Sequence, residues 1–152
     1  MLRAGGLAPL LVLRPARALA ADYSNPEEVL DAVDRFEADV AARLRVLAEG
    51  LPQARPFVAS VLGDQERQRR ERAGVRRRLG LPRTHEPEPP APDERDLVSL
   101  RAAQEALVYA HAEGLPALGD AGSVRILARH MVELARHLTL IDLWLEAEEQ
   151  RG

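Results

Sequence analysis

The sequence predicts an all-α fold, a four-helix bundle, and three observations support this. Ala, Leu, Arg and Glu are abundant in the 152 residues, while aromatic residues make up 3%, a composition typical of helices that pack through aliphatic side chains. Apolar residues recur with helical spacing in four stretches. Glycine and proline separate these stretches. The length suits one domain, which we place at residues 21–152.

Residues 1–20 are interpreted as an export signal that precedes the bundle. Arg3 is followed by a short apolar run, and Ala18-Leu19-Ala20 forms a small-x-small cleavage pattern. The run is shorter than the about 20 residues that a membrane span needs. We therefore expect a periplasmic or secreted product with no stable membrane anchor after cleavage; a mitochondrial presequence is the alternative.

The stretch LRAGGLAPLL, residues 2–11, resembles the middle of a bacterial twin-arginine signal, although the arginine pair itself is not in the sequence. The resemblance implies that the pair is encoded upstream of Met1. It also implies export of a protein that is already folded, which favours one that has received a metal inside the cell.

The first helix is predicted over residues 24–50. Ser24 or Asn25 caps it, Pro26 occupies its first turn and Gly50 ends it. Its apolar stripe consists of Val29, Val33, Phe36, Val40, Leu44 and Leu47. We interpret Asp31 and Asp34, outside this stripe, as surface charges.

The second helix is predicted over residues 57–80, and its stripe is interrupted. Val58, Val61 and Leu62 begin the stripe and Val75 and Leu79 resume it. Gln65 and Gln68 occupy the stripe positions between them.

Seven arginines lie between Arg67 and Arg78. Such a run suits nucleic acid or phosphate when aromatic residues are interleaved and the chain is basic. Here the chain is acidic, and Glu66 and Glu71 sit among the arginines. We therefore expect a solvated, salt-bridged helix face and no nucleic-acid partner.

The remaining two helices follow a Pro-rich connection, residues 81–92, which contains His85 and is long enough to run the length of a bundle. The third helix is predicted over residues 93–114 and the fourth over 123–150. Gln104 and His111 align with the third stripe, while His130 and His137 flank the fourth. Short turns predict antiparallel pairs 1–2 and 3–4, and the long connection allows helices 2 and 3 to run parallel.

This arrangement over residues 25–149 resembles the ferritin-like superfamily, whose bundles have one long crossover between the second and third helices. The resemblance implies a di-metal centre in which helices 1 and 3 each supply a Glu and helices 2 and 4 each supply Glu-x-x-His. Glu37 and Glu105 match the first two positions. Gln65 and Gln68 stand where the second helix should carry its Glu and His, and the fourth helix reverses the motif.

The candidate metal ligands are therefore a noncanonical set of imidazoles and carboxylates. Without cysteine, a site can use only these groups, which suit iron or another transition metal. The set is Glu37, Glu105, His111, His130, Glu133 and His137. In the alternative interpretation the histidines are structural and hydrogen-bond to neighbouring helices, with Gln104 or Glu105 as partners.

Three functions are compatible with these features. The first is an exported ferritin-like bundle with a degenerate or altered metal centre and a binding or accessory role rather than an enzymatic one. The second is a working metal-dependent oxidase or iron-handling protein that uses the six candidate ligands. The third is a helical interaction module that uses the arginine-rich face of the second helix. A homodimer through the bundle is the one partner that we consider.

Overall fold

The computed structural model describes residues 22–83 and 97–151. The export signal, most of the Pro-rich connection with His85, and the predicted start of the third helix at Asp93 lie outside these ranges. The described residues form four α-helices: α1 Pro26–Gly50, α2 Arg55–Leu79, α3 Leu97–Gly114 and α4 Ala121–Glu149. Two short 3₁₀ turns, Pro52–Ala54 and Leu115–Leu118, link α1 to α2 and α3 to α4. The all-α prediction is confirmed.

The helix ends have identifiable causes. The Asn25 side chain accepts a hydrogen bond from the Glu28 backbone N–H and so caps α1. α2 ends at Gly80, whose φ of 68° is a left-handed conformation that glycine adopts without strain. α4 begins at Ala121, two residues before the predicted start, because the Asp120 side chain accepts a hydrogen bond from the Ser123 backbone N–H and caps the helix there.

Side chains that meet across the interfaces give the directions of the helices. At three interfaces, the residue numbers of the contacting pairs rise along one helix and fall along its neighbour. The pairs are Asp31–Arg76 and Glu37–Arg69 (α1–α2), Asp64–His137 and Arg78–Ser123 (α2–α4), and Arg101–Asp142 and His111–His130 (α3–α4). These neighbours are antiparallel, so α2 and α3, both antiparallel to α4, run in the same direction.

The apolar core lies mainly between α1, α3 and α4. Val33, Leu44, Leu107, Leu127 and Leu134 are fully buried there. α3 approaches α1 closely at Gly114, where a Cβ would clash with Cγ1 of Val29. A residue without a side chain is therefore required at this position.

Within the described ranges, none of the helices is both long enough and apolar enough to cross a membrane.

Candidate functional site

The most unusual feature of the interior is a set of buried polar side chains halfway along the bundle. All four helices contribute to it, and we call it the central polar layer. Its members are Glu37, Gln65, Gln68, Arg72, Gln104, His111, His130 and His137. Buried polar groups reduce stability unless they are paired, so each contact in this layer bears on what the layer does.

α2 contributes the largest share because its stripe carries polar residues where an apolar face is expected. Between Val61 and Val75, the buried positions of α2 are Gln65, Gln68 and Arg72. These residues continue the helical spacing of the stripe, which places their side chains toward the other three helices. The prediction that the two glutamines occupy core positions is confirmed.

Arg72 lies at the centre of the layer, and its guanidinium is 1% exposed. Its Nε donates a hydrogen bond to Asp34 Oδ1 at 2.7 Å, and its Nη2 lies 2.7 Å from Glu37 Oε1. Two carboxylates of α1 therefore neutralise one fixed cation of α2. Carboxylates within ion-pair distance keep an arginine charged despite its burial.

The next arginine along the same face extends this ion-pair network toward one end of the bundle. Arg76 is buried, and its Nη2 contacts Asp31 Oδ1 at 2.8 Å and Asp34 Oδ2 at 3.0 Å. Two earlier interpretations need correction. The arginine run is not only a solvated face, because Arg72 and Arg76 belong to the interior. Asp34 is not a surface charge, because these two guanidiniums cover it.

Glu37 is the one predicted ligand on α1, and the structure places it in the interior. Burial raises the pKa of its carboxyl, while the neighbouring Arg72 opposes that rise. Its Oε2 has no hydrogen-bond partner among the described residues. A carboxyl with one paired and one free oxygen can hold a proton on the free oxygen or accept a hydrogen bond from a small molecule.

His111 and His130 face each other from α3 and α4, with ring centroids 6.1 Å apart in an edge-to-face arrangement. His111 Nδ1 lies 2.9 Å from the Leu107 carbonyl oxygen. Burial lowers the pKa of His111 to about 3, so the ring is neutral at physiological pH. His111 Nε2 and His130 Nδ1 have no hydrogen-bond partner among the described residues.

The two α4 histidines bind carboxylates of α2. His130 Nε2 lies 2.6 Å from Glu71 Oε2, and His137 Nε2 lies 3.0 Å from Asp64 Oδ2. Burial lowers the pKa of both imidazoles, against the effect of these carboxylates. The histidines therefore link helices, as the structural interpretation predicted, but Gln104 and Glu105 are not their partners. Gln104 instead donates to the Leu134 carbonyl oxygen.

The other two predicted ligands lie outside the interior. Glu133 accepts hydrogen bonds from Arg67 and Gln68 at the α2–α4 interface. Glu105 is half-buried and accepts from Arg101, one turn earlier on α3. Gln104, its neighbour, occupies the inward position of that turn.

Within the ranges 22–83 and 97–151, no three His, Asp or Glu side chains are grouped as a metal ion requires. Comparison adds no relatives. No family model, curated protein or solved structure matches the chain. Any assignment of function therefore depends on the central polar layer itself.

The amides of the layer are poorly satisfied by the protein. Gln65 has no hydrogen-bond partner for either amide atom among the described residues, and the same holds for the side-chain oxygens of Gln68 and Gln104. Carboxamides in an interior usually find partners in protein or ordered water. Gln65 therefore has an unused donor and an unused acceptor within the described residues, and Gln68 and Gln104 each have an unused acceptor.

The sequence contains a signal for the arginine that our prediction missed. Arg72 lies four residues after Gln68 and three before Val75, so it is in register with the stripe. Asp34 and Glu37 have the same three-residue spacing on α1. Extending the helical spacing of the stripe from Gln68 to Val75 would have placed Arg72, which lies between them, in the core.

Proposed function

We propose that this protein is an exported, ferritin-like helical bundle in which a fixed arginine has replaced the metal centre, and that it has a binding or accessory role rather than an enzymatic one. The observation that carries the proposal is the burial of Arg72 between Asp34 and Glu37. A permanent cation there supplies the positive charge that inward-facing carboxylates need.

The ligand set fits this proposal better than it fits a di-metal centre. Glu37 is already paired with Arg72, and His130 and His137 are each engaged by a carboxylate of α2. Gln65 and Gln68 offer neutral amide oxygens, which are weak ligands for iron. Releasing the engaged groups for a metal would leave Arg72 buried next to a second cation, which is unfavourable.

The helix directions support the ferritin-like part of the proposal. α2 and α3 run in the same direction, so the end of α2 and the start of α3 lie at opposite ends of the bundle. A chain with this arrangement needs one connection that spans the bundle. The 12 or so residues of the Pro-rich segment are enough for that span in an extended form.

Metal analysis tests the replacement. Purified protein is incubated separately with Fe²⁺, Zn²⁺ and Cu²⁺, desalted and measured by mass spectrometry. We expect far less than one ion per native chain and a gain of bound metal in Arg72→Met, because that change removes the cation paired with Glu37 at 2.7 Å. Arg70→Met is the matched control, since Arg70 is exposed and its replacement should leave metal content unchanged.

Two results would overturn this proposal. Two tightly bound irons per native chain would show a working centre. An Arg72→Met protein that retains its helical circular dichroism and gains no metal would show that the arginine does not stand in for an ion. Export is tested separately, by mass spectrometry of the N-terminus from the cell that produces the protein; an N-terminus that retains residues 1–20 contradicts it.

A second candidate function, a metal-dependent oxidase, is favoured by one observation. His111 and His130 are neutral, close together, and each has one free ring nitrogen, and neutral imidazole is the form that binds metals. His111→Leu distinguishes the two. It should abolish any metal content and oxidase activity of such an enzyme, and it should leave the metal content of an arginine-centred bundle unchanged.

A further inference from the structure

A pocket of about 540 Å³ lies at one end of the bundle, where α1 and α4 end and α3 begins. Its apolar wall is formed by Val46, Leu47, Leu51, Leu97, Val98 and Leu145. The volume is within the range of about 300–1,000 Å³ that holds small molecules. Leu47 is ten residues beyond Glu37 on α1, a distance of about 15 Å along the helix, so this pocket is separate from the central polar layer.

Two carboxylates complete the wall of the pocket. Glu49 makes no hydrogen bond or ion pair within the described residues, and Glu148 Oε1 pairs with Arg151 Nη1 at 3.1 Å. Both members of that pair are largely exposed, and such surface pairs are weak and exchange readily with solvent. An apolar pocket with accessible carboxylates at its edge favours a cation over an anion or a neutral group.

We propose that this pocket binds a small amphiphile with an apolar chain and one cationic head group, of the alkylammonium class. The chain would pack against the leucine and valine side chains, and the head would lie beside Glu49 and Glu148. The proposal is independent of the central polar layer, so a metal in that layer would neither support nor weaken it.

Three probes that share a decyl chain test the choice of head group. Titration calorimetry of the full chain compares decyltrimethylammonium, decyl maltoside and decyl sulfate, each below its aggregation concentration. We expect saturable binding of the cationic probe, weaker binding of the neutral one and none of the anionic one. Equal affinity for all three, or no binding of the cation at millimolar concentration, would overturn the proposal.

Charge-removing variants test the role of the carboxylates. The double variant Glu49→Gln with Glu148→Gln should lower the affinity for the cationic probe about five- to tenfold, as expected for two partly exposed charges. It should change binding of the maltoside little. A loss of equal size for both probes would mean that the carboxylates do not recognise the head group, which contradicts the proposal.

Two glycines allow a matched pair of substitutions, one that fills the pocket and one that lies outside it. A Cβ at Gly50, which lines the pocket, meets no atom within 4 Å, and the same is true at Gly63 on α2. Gly50→Phe should abolish binding of both the cationic and the neutral probe, whereas Gly63→Phe should leave both unchanged. Binding that survives Gly50→Phe, or that is lost equally in Gly63→Phe, would place the ligand elsewhere.

Discussion

α2 and α3 contact the rest of the bundle in different ways. α3 lies close to α1 and α4 along its length, and its buried face includes Leu100, Ala103, Leu107, Ala110 and Gly114. α2 buries fewer apolar side chains, Val58, Val61 and Val75, and meets its neighbours largely through ion pairs and hydrogen bonds. One bundle can therefore bind one helix mainly by apolar packing and another largely by ion pairs and hydrogen bonds.

The two kinds of interface differ in how they respond to change. Apolar burial contributes about 25 cal/mol per Å² wherever it occurs, so the α3 interfaces tolerate small shifts provided that the volume is conserved. A buried ion pair instead depends on each partner, because removing one leaves the other charged without water. The α2 interface should therefore be the more easily broken of the two.

The largest effect is expected for Arg72→Met. The change removes the buried cation that pairs with Glu37 and one of the two that pair with Asp34, which keeps Arg76, and it should lower the free energy of unfolding by about 3–5 kcal/mol. Urea denaturation followed by circular dichroism measures this loss. Arg70→Met, at an exposed position, should cost less than about 0.5 kcal/mol; equal losses in the two variants would contradict the role of the ion pair.

Gly114→Ala tests the α3 interface at its closest point. The new Cβ would clash with Val29, and overpacking of this kind costs about 1–3 kcal/mol. The same denaturation measurement applies. Gly63→Ala is the matched control, because its Cβ meets nothing and alanine stabilises an exposed helix position by about 0.4–1 kcal/mol. An unchanged free energy of unfolding in Gly114→Ala would mean that α3 does not pack tightly against α1 at this position.

Acid should weaken the part of the bundle in which the buried histidines of α3 and α4 lie. Burial lowers the pKa of His111 from its ordinary 6.5 to about 3 and also lowers those of His130 and His137. The unfolded chain therefore binds more protons than the folded one, so stability is full above about pH 6.5 and is lost as pH falls toward the folded pKa. Glu37, whose pKa is raised by burial, acts in the opposite direction as pH falls through its folded pKa.

Between pH 6.5 and 5 the contribution of His111 amounts to up to about 2 kcal/mol. Urea midpoints at pH 7.5 and 5.0 measure this contribution. His111→Leu should reduce the pH dependence. A midpoint that does not move over this range would contradict the neutral state of the buried ring.

The smallest effect is expected for Gln65→Leu, and its direction is informative. Gln65 is buried with both amide atoms unpaired within the described residues, so leucine should raise the free energy of unfolding by about 1 kcal/mol. Such an increase would show that the buried amide of Gln65 destabilises the folded protein. A clear loss of stability would instead show that Gln65 has partners in solution, such as ordered water.

Periodicity was sufficient for the helices but not for the charges within them. The spacing of aliphatic residues predicted all four helices. It also placed Gln65 and Gln68 in the core, because both lie at positions of the apolar stripe. It misplaced Asp34, which lies beside the stripe and becomes covered only when Arg72 and Arg76 reach across from α2. It aligned Gln104 with the third stripe, and Gln104 is buried while its neighbour Glu105 is half-buried, because adjacent helical positions differ by about 100°.

The sequence by itself determined the class of fold, the N-cap of α1 and the glutamines of the interior, since these depend on local spacing and on single residues. Only the tertiary structure decided which carboxylate meets which cation, because partners such as Glu37 and Arg72 are 35 positions apart in sequence and 2.7 Å apart in space. Long side chains reach several neighbours, and the packing of the backbones selects one.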